Sequence, residues 1–240
     1  MIKFENVSCE YEKGKKILDG ISFEIGNGES VGLIGANGAG KSTLLKVMLG
    51  LIPHEGSILL DGLPVNKQNI DTVRKKIGLV LQNSDNQMFM PTVFEDIMFG
   101  LVNNGIGREE AEKRTDEVLS RLGITELKNK HNHKISGGEK RMAAVATVLA
   151  MDPDVIVMDE PTSALDPYNR RMIINTINSL PNTKIITSHD LDMILDTCGK
   201  VILLSGGHVA AAGDAKEILS DAELLSRNRL ELPLQLQLRS

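Results

Sequence analysis

Gly35-Ala36-Asn37-Gly38-Ala39-Gly40-Lys41-Ser42-Thr43 lies between an apolar segment, Ser30–Ile34, and a segment of helical pattern, Lys41–Leu51. Two glycines frame four residues and precede Lys and Ser, so the backbone can curl until its N–H groups point at one anion. The start of the helix adds partial positive charge. The segment therefore predicts a loop for a nucleoside triphosphate, in which Lys41 reaches the β- and γ-phosphates and Ser42 holds Mg²⁺.

A second apolar segment, Val155–Met158, ends in two carboxylates, Asp159 and Glu160. A carboxylate at the end of a buried strand can hold Mg²⁺ through its water shell, and the next one can act as a general base on an attacking water. We assign the first role to Asp159 and the second to Glu160. The guanine-specific pattern Asn-Lys-x-Asp is not matched, because the nearest segment, residues 66–69, ends in Asn. GTP is therefore disfavoured as the nucleotide.

Short apolar segments alternate along the chain with longer segments of helical pattern, which is typical of an α/β fold with a parallel sheet. Residues 83–150 have few strand signals and predict a helical insert, whereas residues 1–30 and 56–81 predict an antiparallel sheet beside the core. The predicted strands are Ser30–Ile34, Gly56–Leu60, Ile77–Leu81, Val155–Met158, Lys184–Thr187 and Lys200–Leu204, and the predicted helices are Lys41–Leu51, Arg108–Leu122, Glu139–Met151, Tyr168–Ser179 and Ala215–Leu225.

Composition narrows the possible functions. The 240 residues are 41% hydrophobic and 25% charged, which is typical of a soluble globular chain, and the net charge of −5 argues against a general nucleic-acid binder. Only 3% are aromatic, so base-stacking surfaces are not expected. Cys9 and Cys198 are too far apart in sequence for a metal finger. No apolar run approaches about 20 residues, so we expect a soluble, intracellular chain without a membrane span of its own.

The segment Ser136-Gly137-Gly138-Glu139-Lys140 permits two interpretations. Ser136 and Glu139 have the spacing of a capping box, which begins a helix by satisfying its free N–H groups, and the segment taken alone favours this interpretation. Alternatively, two glycines leave the helix N-terminus bare, so that a second phosphate could bind against it.

At this segment the sequence resembles the ATP-binding-cassette family. Ile135–Glu139 is similar to the signature motif of that family and precedes Asp159 by about twenty residues, as the family requires. Met142 departs from the family, which often places Arg or Val there. The other motifs of the family follow in order: Tyr11 at the adenine-stacking position, Gln82 at the Q-loop position, Ser163-Ala164-Leu165-Asp166 as the D-loop and Thr187-Ser188-His189-Asp190 as the switch-histidine loop.

The resemblance covers residues 1 to about 215 and implies a phosphate-loop NTPase core of RecA-like fold, with an antiparallel β subdomain and an inserted α-helical subdomain. It implies a single ATPase domain over residues 1–240. Within this domain, residues 1–82 and 151–213 would form the core and the β subdomain, residues 83–150 the helical signature subdomain, and residues 214–240 a C-terminal helix and tail.

The resemblance also implies that two cassettes pack head to tail, with each ATP between the phosphate loop of one subunit and the signature motif of the other. His189 would hydrogen-bond the γ-phosphate and position the water beside Glu160, while Gln82 would sense Mg²⁺ and that water. The implied catalytic residues are Glu160, His189, Gln82 and Lys41, the implied Mg²⁺ residues are Ser42, Gln82 and Asp159, and the implied nucleotide-binding residues are Tyr11, Gly35, Asn37, Gly38, Ala39, Gly40, Lys41, Ser42, Thr43, Ser136, Gly137, Gly138 and Asp166.

The family contains motor subunits of membrane transporters and soluble ATPases of DNA repair, chromosome upkeep or translation. The soluble members usually carry tandem cassettes, coiled-coil inserts or basic arms, which this sequence lacks, so the transporter is favoured. Gln82–Phe89, with its second glutamine Gln87, and the segments Pro91–Val93 and Glu95–Gly100 are similar to the energy-coupling-factor type, which includes cobalt and nickel importers. Another transporter type is the alternative.

By this resemblance, residues 82–100 form the groove that receives a coupling helix from a transmembrane partner. The implied partners are a second ATPase subunit, in a homodimer or a heterodimer, a transmembrane coupling protein and a substrate-binding membrane subunit, and no nucleic acid. The chain would lie at the cytoplasmic face of the membrane. Cobalt, nickel and a vitamin all remain open as the substrate, which the membrane subunits would bind.

Two further features are weaker. Leu230–Leu238 has Leu at every second position, and this period predicts an extended segment whose apolar face packs on its own fold or on a partner. His131 and His133 lie in a polar segment without Cys or carboxylate at ligand spacing, so we predict no metal site there.

Overall fold

The structure is a computed structural model that describes residues 1–12 and 14–237. Its strands are β1 (Ile2–Glu12), β2 (Lys15–Ile25), β3 (Ser30–Ile34), β4 (Glu55–Leu60), β5 (Leu63–Pro64), β6 (Ile77–Val80), β7 (Val155–Asp159), β8 (Thr183–Thr187), β9 (Lys200–Ser205) and β10 (His208–Asp214). Its α-helices are α1 (Lys41–Met48), α2 (Ile70–Lys76), α3 (Val93–Asn103), α4 (Arg108–Arg121), α5 (Gly137–Leu149), α6 (Pro167–Ser179), α7 (Leu191–Thr197), α8 (Ala215–Ser220), α9 (Ala222–Arg227) and α10 (Leu234–Gln237).

Six strands form the larger sheet, in the order β10-β9-β3-β8-β7-β6. All of them run parallel except β10, which pairs antiparallel to β9 at one edge. In β3, Val31 and Leu33 belong to one buried apolar cluster and Ile34 to the other. Both faces of the sheet are therefore covered, which explains why its strands are almost unbroken apolar runs. The predicted α/β core is confirmed.

The smaller sheet has the order β2-β1-β4-β5 and is antiparallel throughout, which confirms the predicted antiparallel sheet beside the core. Phe4 and Phe23 lie opposite each other on β1 and β2, and their rings stack with centroids 4.4 Å apart. Helix α1 packs in the same buried cluster as residues of both sheets. This packing fixes the start of α1 beside the end of β3.

Between residues 83 and 150 the structure contains α3, α4 and α5 together with 3₁₀ turns at Ser84–Asn86, Thr125–Leu127 and Asn132–Lys134. The three helices share the larger buried cluster, to which they contribute Ile97, Leu119 and Ala143. Helices α2, α3 and α7 carry no strong periodic signal, and the sequence did not predict them. The cluster that α3, α4 and α5 share also contains Ile156 and Met158 of β7, so these three helices pack against the β7 side of the larger sheet.

Two predictions for the C-terminal part were wrong. The helix expected over Ala215–Leu225 is divided at Asp221, whose side chain accepts from the Leu224 N–H and so begins a new helix, α9. The tail expected to be extended forms α10 after Pro233, because the Asp192 carboxylate accepts the first free N–H groups of that helix, from Leu234 and Gln235. Leu238 lies outside the described residues.

The tail does pack on its own fold, as the alternation predicted, because Leu230 and Leu232 contact the larger buried cluster. In the described parts of the chain, no helix combines the length and the apolar character that crossing a bilayer demands.

Candidate functional site

Most of the predicted site residues meet at one edge of the larger sheet. The loop 35–43 follows β3, the carboxylates Asp159 and Glu160 lie at the end of β7, and His189 lies just beyond β8. Gln82 follows the end of β6. Because β3, β8, β7 and β6 are neighbours and run parallel, their carboxyl ends align these side chains along one edge, where α/β proteins bind ligands.

The loop 35–43 has a backbone that only glycine permits at two positions. Gly35 and Gly40 have φ of 149° and 107°. A Cβ at Gly35 would lie 2.4 Å from the carbonyl oxygen of Leu204, and one at Gly40 would lie 2.7 Å from Cδ2 of Leu18. Gly40 is also the N-cap of α1, and no side chain caps the N–H groups there. This uncapped helix start is a site for an anion.

The side chain of Lys41, at the start of α1, is positioned by hydrogen bonds to the loop, where it could bind such an anion. Its ammonium donates to the carbonyl oxygens of Gly35 and Ala36, at 2.6 and 3.3 Å. Burial lowers the pKa of Lys41, while the nearby carboxylates of Glu160 and Asp159 partly oppose that shift. A half-buried cation whose hydrogen bonds go only to neutral carbonyl oxygens fits a phosphate group, which would offer it a directly bonded anionic partner.

The two carboxylates at the end of β7 have different surroundings. Asp159 accepts a hydrogen bond from the Thr187 hydroxyl at 2.5 Å. Glu160 has a φ of 48°, and its N–H donates to the Thr187 carbonyl at 3.0 Å, so β8 holds it in a strained conformation. The Ser188 hydroxyl donates to Glu160 Oε2 at 3.2 Å. Asp159 is thus tied to the protein, whereas half of the Glu160 carboxylate is not.

The Oε1 atom of Glu160 is the most informative atom of the site. The side chain is 13% exposed, and its Oε1 is buried without a hydrogen-bond partner among the described residues. His189 Nε2 lies 3.8 Å from it. A buried acceptor without a donor is rare in folded proteins and indicates that a polar ligand such as a water completes the site.

Other predicted residues lie on the rim. The Tyr11 hydroxyl is 3.4 Å from the Thr43 hydroxyl, so β1 places this exposed ring beside the start of α1. Asn37, Ser42 and Gln82 are exposed, as ligand-binding side chains on an open site would be.

The remaining predicted residues form a second group, at the starts of α5 and α6. Ser136 and Glu139 make both hydrogen bonds of a capping box, at 3.2 and 2.7 Å, so that interpretation of the segment is confirmed. Gly138 packs against Asn169, whose amide donates to Asp166 at 2.5 Å. Among described residues, no hydrogen bond or ion pair joins Ser136, Gly138 or Asp166 to the loop 35–43.

Some residues of the site carried no individual prediction. The motif at residues 187–190 indicates no separate role for Thr187 or Ser188, yet their hydroxyls orient Asp159 and Glu160. Asn169 links Gly138 and Asp166 of the second group. No role was predicted for Arg141. Its position directly before a long apolar run, residues 142–151, could have indicated one, because a charged side chain is rarely buried without a partner.

Comparisons with known proteins agree with this geometry. The family model described as ABC transporter matches residues 18–163. The energy-coupling factor transporter ATP-binding protein EcfA of Methanocaldococcus jannaschii is 41% identical over 239 residues, which cover 97% of this chain and 86% of the relative.

Two solved structures are also similar. The structure of cbiO1 from Clostridium perfringens, part of the ABC transporter complex cbiONQ, is 36% identical with a TM-score of 0.86, covering 99% of this chain and 98% of that one. The ATP-binding cassette MJ0796, a dimer in a post-hydrolysis state bound to ADP and Pi, is 28% identical with a TM-score of 0.79, covering 90% of this chain and 99% of that one.

Proposed function

Because the chain belongs to the ABC transporter family, we propose that it is the ATP-binding and ATP-hydrolysing subunit of an importer of the energy-coupling-factor type. The observation that carries the proposal is the buried, unpartnered Oε1 of Glu160 beside His189. An acceptor that the protein leaves free at the sheet edge where a phosphate loop ends is suited to take a proton from an attacking water.

The other residues act around that proton transfer. Lys41 and the N–H groups at the start of α1 bind the phosphates, and Tyr11 stacks on the adenine. Ser42 and Gln82, and Asp159 through the water shell, would hold Mg²⁺, which would neutralise negative charge on the phosphates. His189 hydrogen-bonds the γ-phosphate and orients the water toward Glu160.

The second group of residues supports a head-to-tail dimer. Ser136, Gly138 and Asp166 have no hydrogen bond to the phosphate loop of their own chain in its described parts, and Ser136 is exposed. We infer that the exposed start of α5 meets the nucleotide of a second ATPase subunit, identical or related. Residues 83–150 would then move as a signature subdomain relative to the core, residues 1–82 and 151–213.

A surface on α3 and the turn before it supports the proposal of a transmembrane partner. Phe89 and Phe99 are 63% and 42% exposed, and their rings meet edge to face with centroids 5.0 Å apart. Two exposed aromatic rings in contact are a feature of interaction surfaces. We propose that this surface receives a transmembrane coupling protein, which holds the chain at the cytoplasmic face of the membrane. A further membrane subunit binds the substrate, which is cobalt, nickel or a vitamin.

Replacement of the general base tests the proposal. Glu160→Gln is expected to lower kcat for ATP hydrolysis by about 10²- to 10⁴-fold, because the amide cannot accept the proton of the water. ATP binding, measured by fluorescence titration, should stay unchanged, and ATP should convert the variant to a stable dimer on gel filtration. Glu109→Gln on the exposed side of α4 is the matched control and should hydrolyse ATP normally.

An ATPase rate for Glu160→Gln close to that of the wild type would refute the assignment of the base. Purification of the tagged wild-type chain from native membranes tests the transport role separately. Recovery of transmembrane proteins is expected, whereas recovery of DNA or ribosomes in their place would contradict it.

A further inference from the structure

Arg141 lies one turn into α5, close to the Ser136–Gly138 turn, and its side chain points toward β6. The guanidinium donates to the carbonyl oxygen of Leu81 at 2.5 Å and also to that of Gln82. Arg141 is 4% exposed, and its Nε has no hydrogen-bond partner among the described residues. A buried cation thus binds the backbone at the root of Gln82.

Gln87 also joins Leu81 to α5, through a second set of hydrogen bonds. Its carbonyl oxygen accepts from the Leu81 N–H at 3.0 Å, and its amide donates to the Ala144 carbonyl at 2.8 Å and the Thr147 hydroxyl at 2.9 Å. Both backbone groups of Leu81 are therefore tied to α5, the N–H through Gln87 and the carbonyl through Arg141. We call Arg141 and Gln87 the α5 clamp.

Joining α5 to the segment after β6 through the α5 clamp requires the burial of a charged guanidinium, which costs free energy. A buried guanidinium whose hydrogen bonds go to two carbonyls and to no carboxylate recovers only part of its desolvation cost. An apolar side chain of similar size would fill the same space without that cost. The charged group contributes orientation, because its planar guanidinium fixes the directions of two successive backbone carbonyls, those of Leu81 and Gln82. The position that it fixes is that of Gln82.

On the basis of the function proposed above, we propose that Arg141, supported by Gln87, is a positioning residue that couples the two nucleotide sites of the dimer. In each subunit Gln82 faces the nucleotide on its own phosphate loop, while Ser136 and Gly138 face the nucleotide of the partner. Because the α5 clamp joins Gln82 to the helix that begins at Ser136, a displacement of either one moves the other. Occupation of one site thereby favours closure at the second.

The test uses the full chain and compares Arg141→Met, which removes every donor, with Arg141→Lys, which keeps a charged donor. ATP binding to the monomer should be unchanged in both, because the loop 35–43 is untouched. In Arg141→Met, kcat should fall by about tenfold or more and the Hill coefficient for ATP should fall to about 1. In the Glu160→Gln background, the ATP concentration that half-saturates dimer formation should rise by about tenfold.

Arg141→Lys should recover part of each loss, and Gln87→Leu, which leaves Arg141 in place, should show the same changes more weakly. If Arg141→Met does not fold, Gln87→Leu supplies the same measurements. Arg121→Met, at an exposed position on α4, is the control. A lower melting temperature with unchanged Hill coefficient and dimer formation would refute the coupling role. Failure of the proposed ATPase function, on which the coupling rests, is distinguishable, because the wild type itself would then not hydrolyse ATP.

Discussion

Gly137 and Gly138 are adjacent at the start of α5, but only one of them has room for a methyl group. A Cβ at Gly138 would lie 2.2 to 2.4 Å from the side-chain atoms of Asn169, whereas a Cβ at Gly137 would have no neighbour within 4 Å. Neither residue has a positive φ, so alanine is compatible with both backbones. The difference between the two positions is therefore one of space.

Gly138→Ala should lower the free energy of unfolding by about 1–2 kcal/mol, because Asn169 must move and release Asp166. Gly137→Ala should leave it unchanged or raise it by up to about 1 kcal/mol, because alanine favours the helix and meets no neighbour there. Urea unfolding of the isolated chain measures both. The double variant Gly138→Ala/Asn169→Ala should regain part of the loss, and equal stability of the two single variants would contradict the steric explanation.

At the scale of single residues, the sequence predicts which residues form the site, but it does not predict their backbone conformation or hydrogen bonding. Gly35, Lys41, Asp159 and Glu160 follow from local patterns, because a strand, a turn and a helix start are decided by neighbouring residues. The φ of 48° at Glu160 and its one unpartnered oxygen depend on Thr187, at the end of another strand, and on Ser188, which follows it. Contacts of that kind leave no trace in a local pattern.

Among the elements, α6 and α7 are joined by an ion pair that holds the loop of His189 in place. Arg170 donates to both oxygens of Asp190, at 2.7 and 3.0 Å, and Asp190 also caps α7 by accepting from the Met193 N–H. Burial raises the pKa of Asp190, but the hydrogen bonds from Arg170 and the Met193 N–H outweigh it, so the pKa lies below its ordinary value.

Asp190→Asn should lower the free energy of unfolding by roughly 1 kcal/mol near neutral pH, since both partners are partly exposed. Because the folded-state pKa is lowered, the ion pair stabilises above the unfolded value, about 4, and is lost as the pH falls through the folded value. The difference between wild type and variant should thus be constant at higher pH and narrow below about pH 4.

Urea unfolding across the pH range checks this, with Asp71→Asn on the exposed side of α2 as the control. A difference that narrows instead as the pH rises would contradict the assigned sign.

The tail explains why one element was predicted wrongly. Alternating leucines indicate a strand when their partners are other strands, and Leu230 and Leu232, both partly buried, do pack against the larger buried cluster as that pattern requires. After Pro233, however, the carboxylate of Asp192 accepts two N–H groups and begins a helix. Asp192 is some forty residues earlier in the chain, so the pattern of the tail could not include it.

For the whole molecule, the fold class was predictable and the arrangement of the site was only partly so. Unbroken apolar runs predicted a sheet covered on both faces, and this is confirmed by the two buried clusters. The order of the strands, which brings the ends of β3, β8 and β7 together, depends on contacts between distant segments. The family resemblance, confirmed by the match over residues 18–163, supplied what the local patterns could not.

At the scale of the whole molecule, an exposed aromatic surface supports the proposed docking of a membrane partner. Phe89 and Phe99 are exposed, and the groove beside Phe99 is lined by further apolar side chains, among them Phe94, Met98 and Val102. A solvated surface gains nothing from two exposed aromatic rings, whereas an interface uses such rings as anchors that dominate its affinity. This surface lies on α3 and the turn before it, and none of its residues belongs to the loop 35–43.

Phe89→Ser/Phe99→Ser should therefore separate assembly from catalysis. The purified variant should keep the ATPase rate and melting temperature of the wild-type chain, because exposed side chains add little to folding stability. Its recovery with transmembrane partners from native membranes should fall by about tenfold or more. Leu51→Ser removes an apolar side chain that is 58% exposed at a distant turn, and it should leave recovery unchanged. If the double variant retains its membrane partners as fully as Leu51→Ser does, the docking surface lies elsewhere on the molecule.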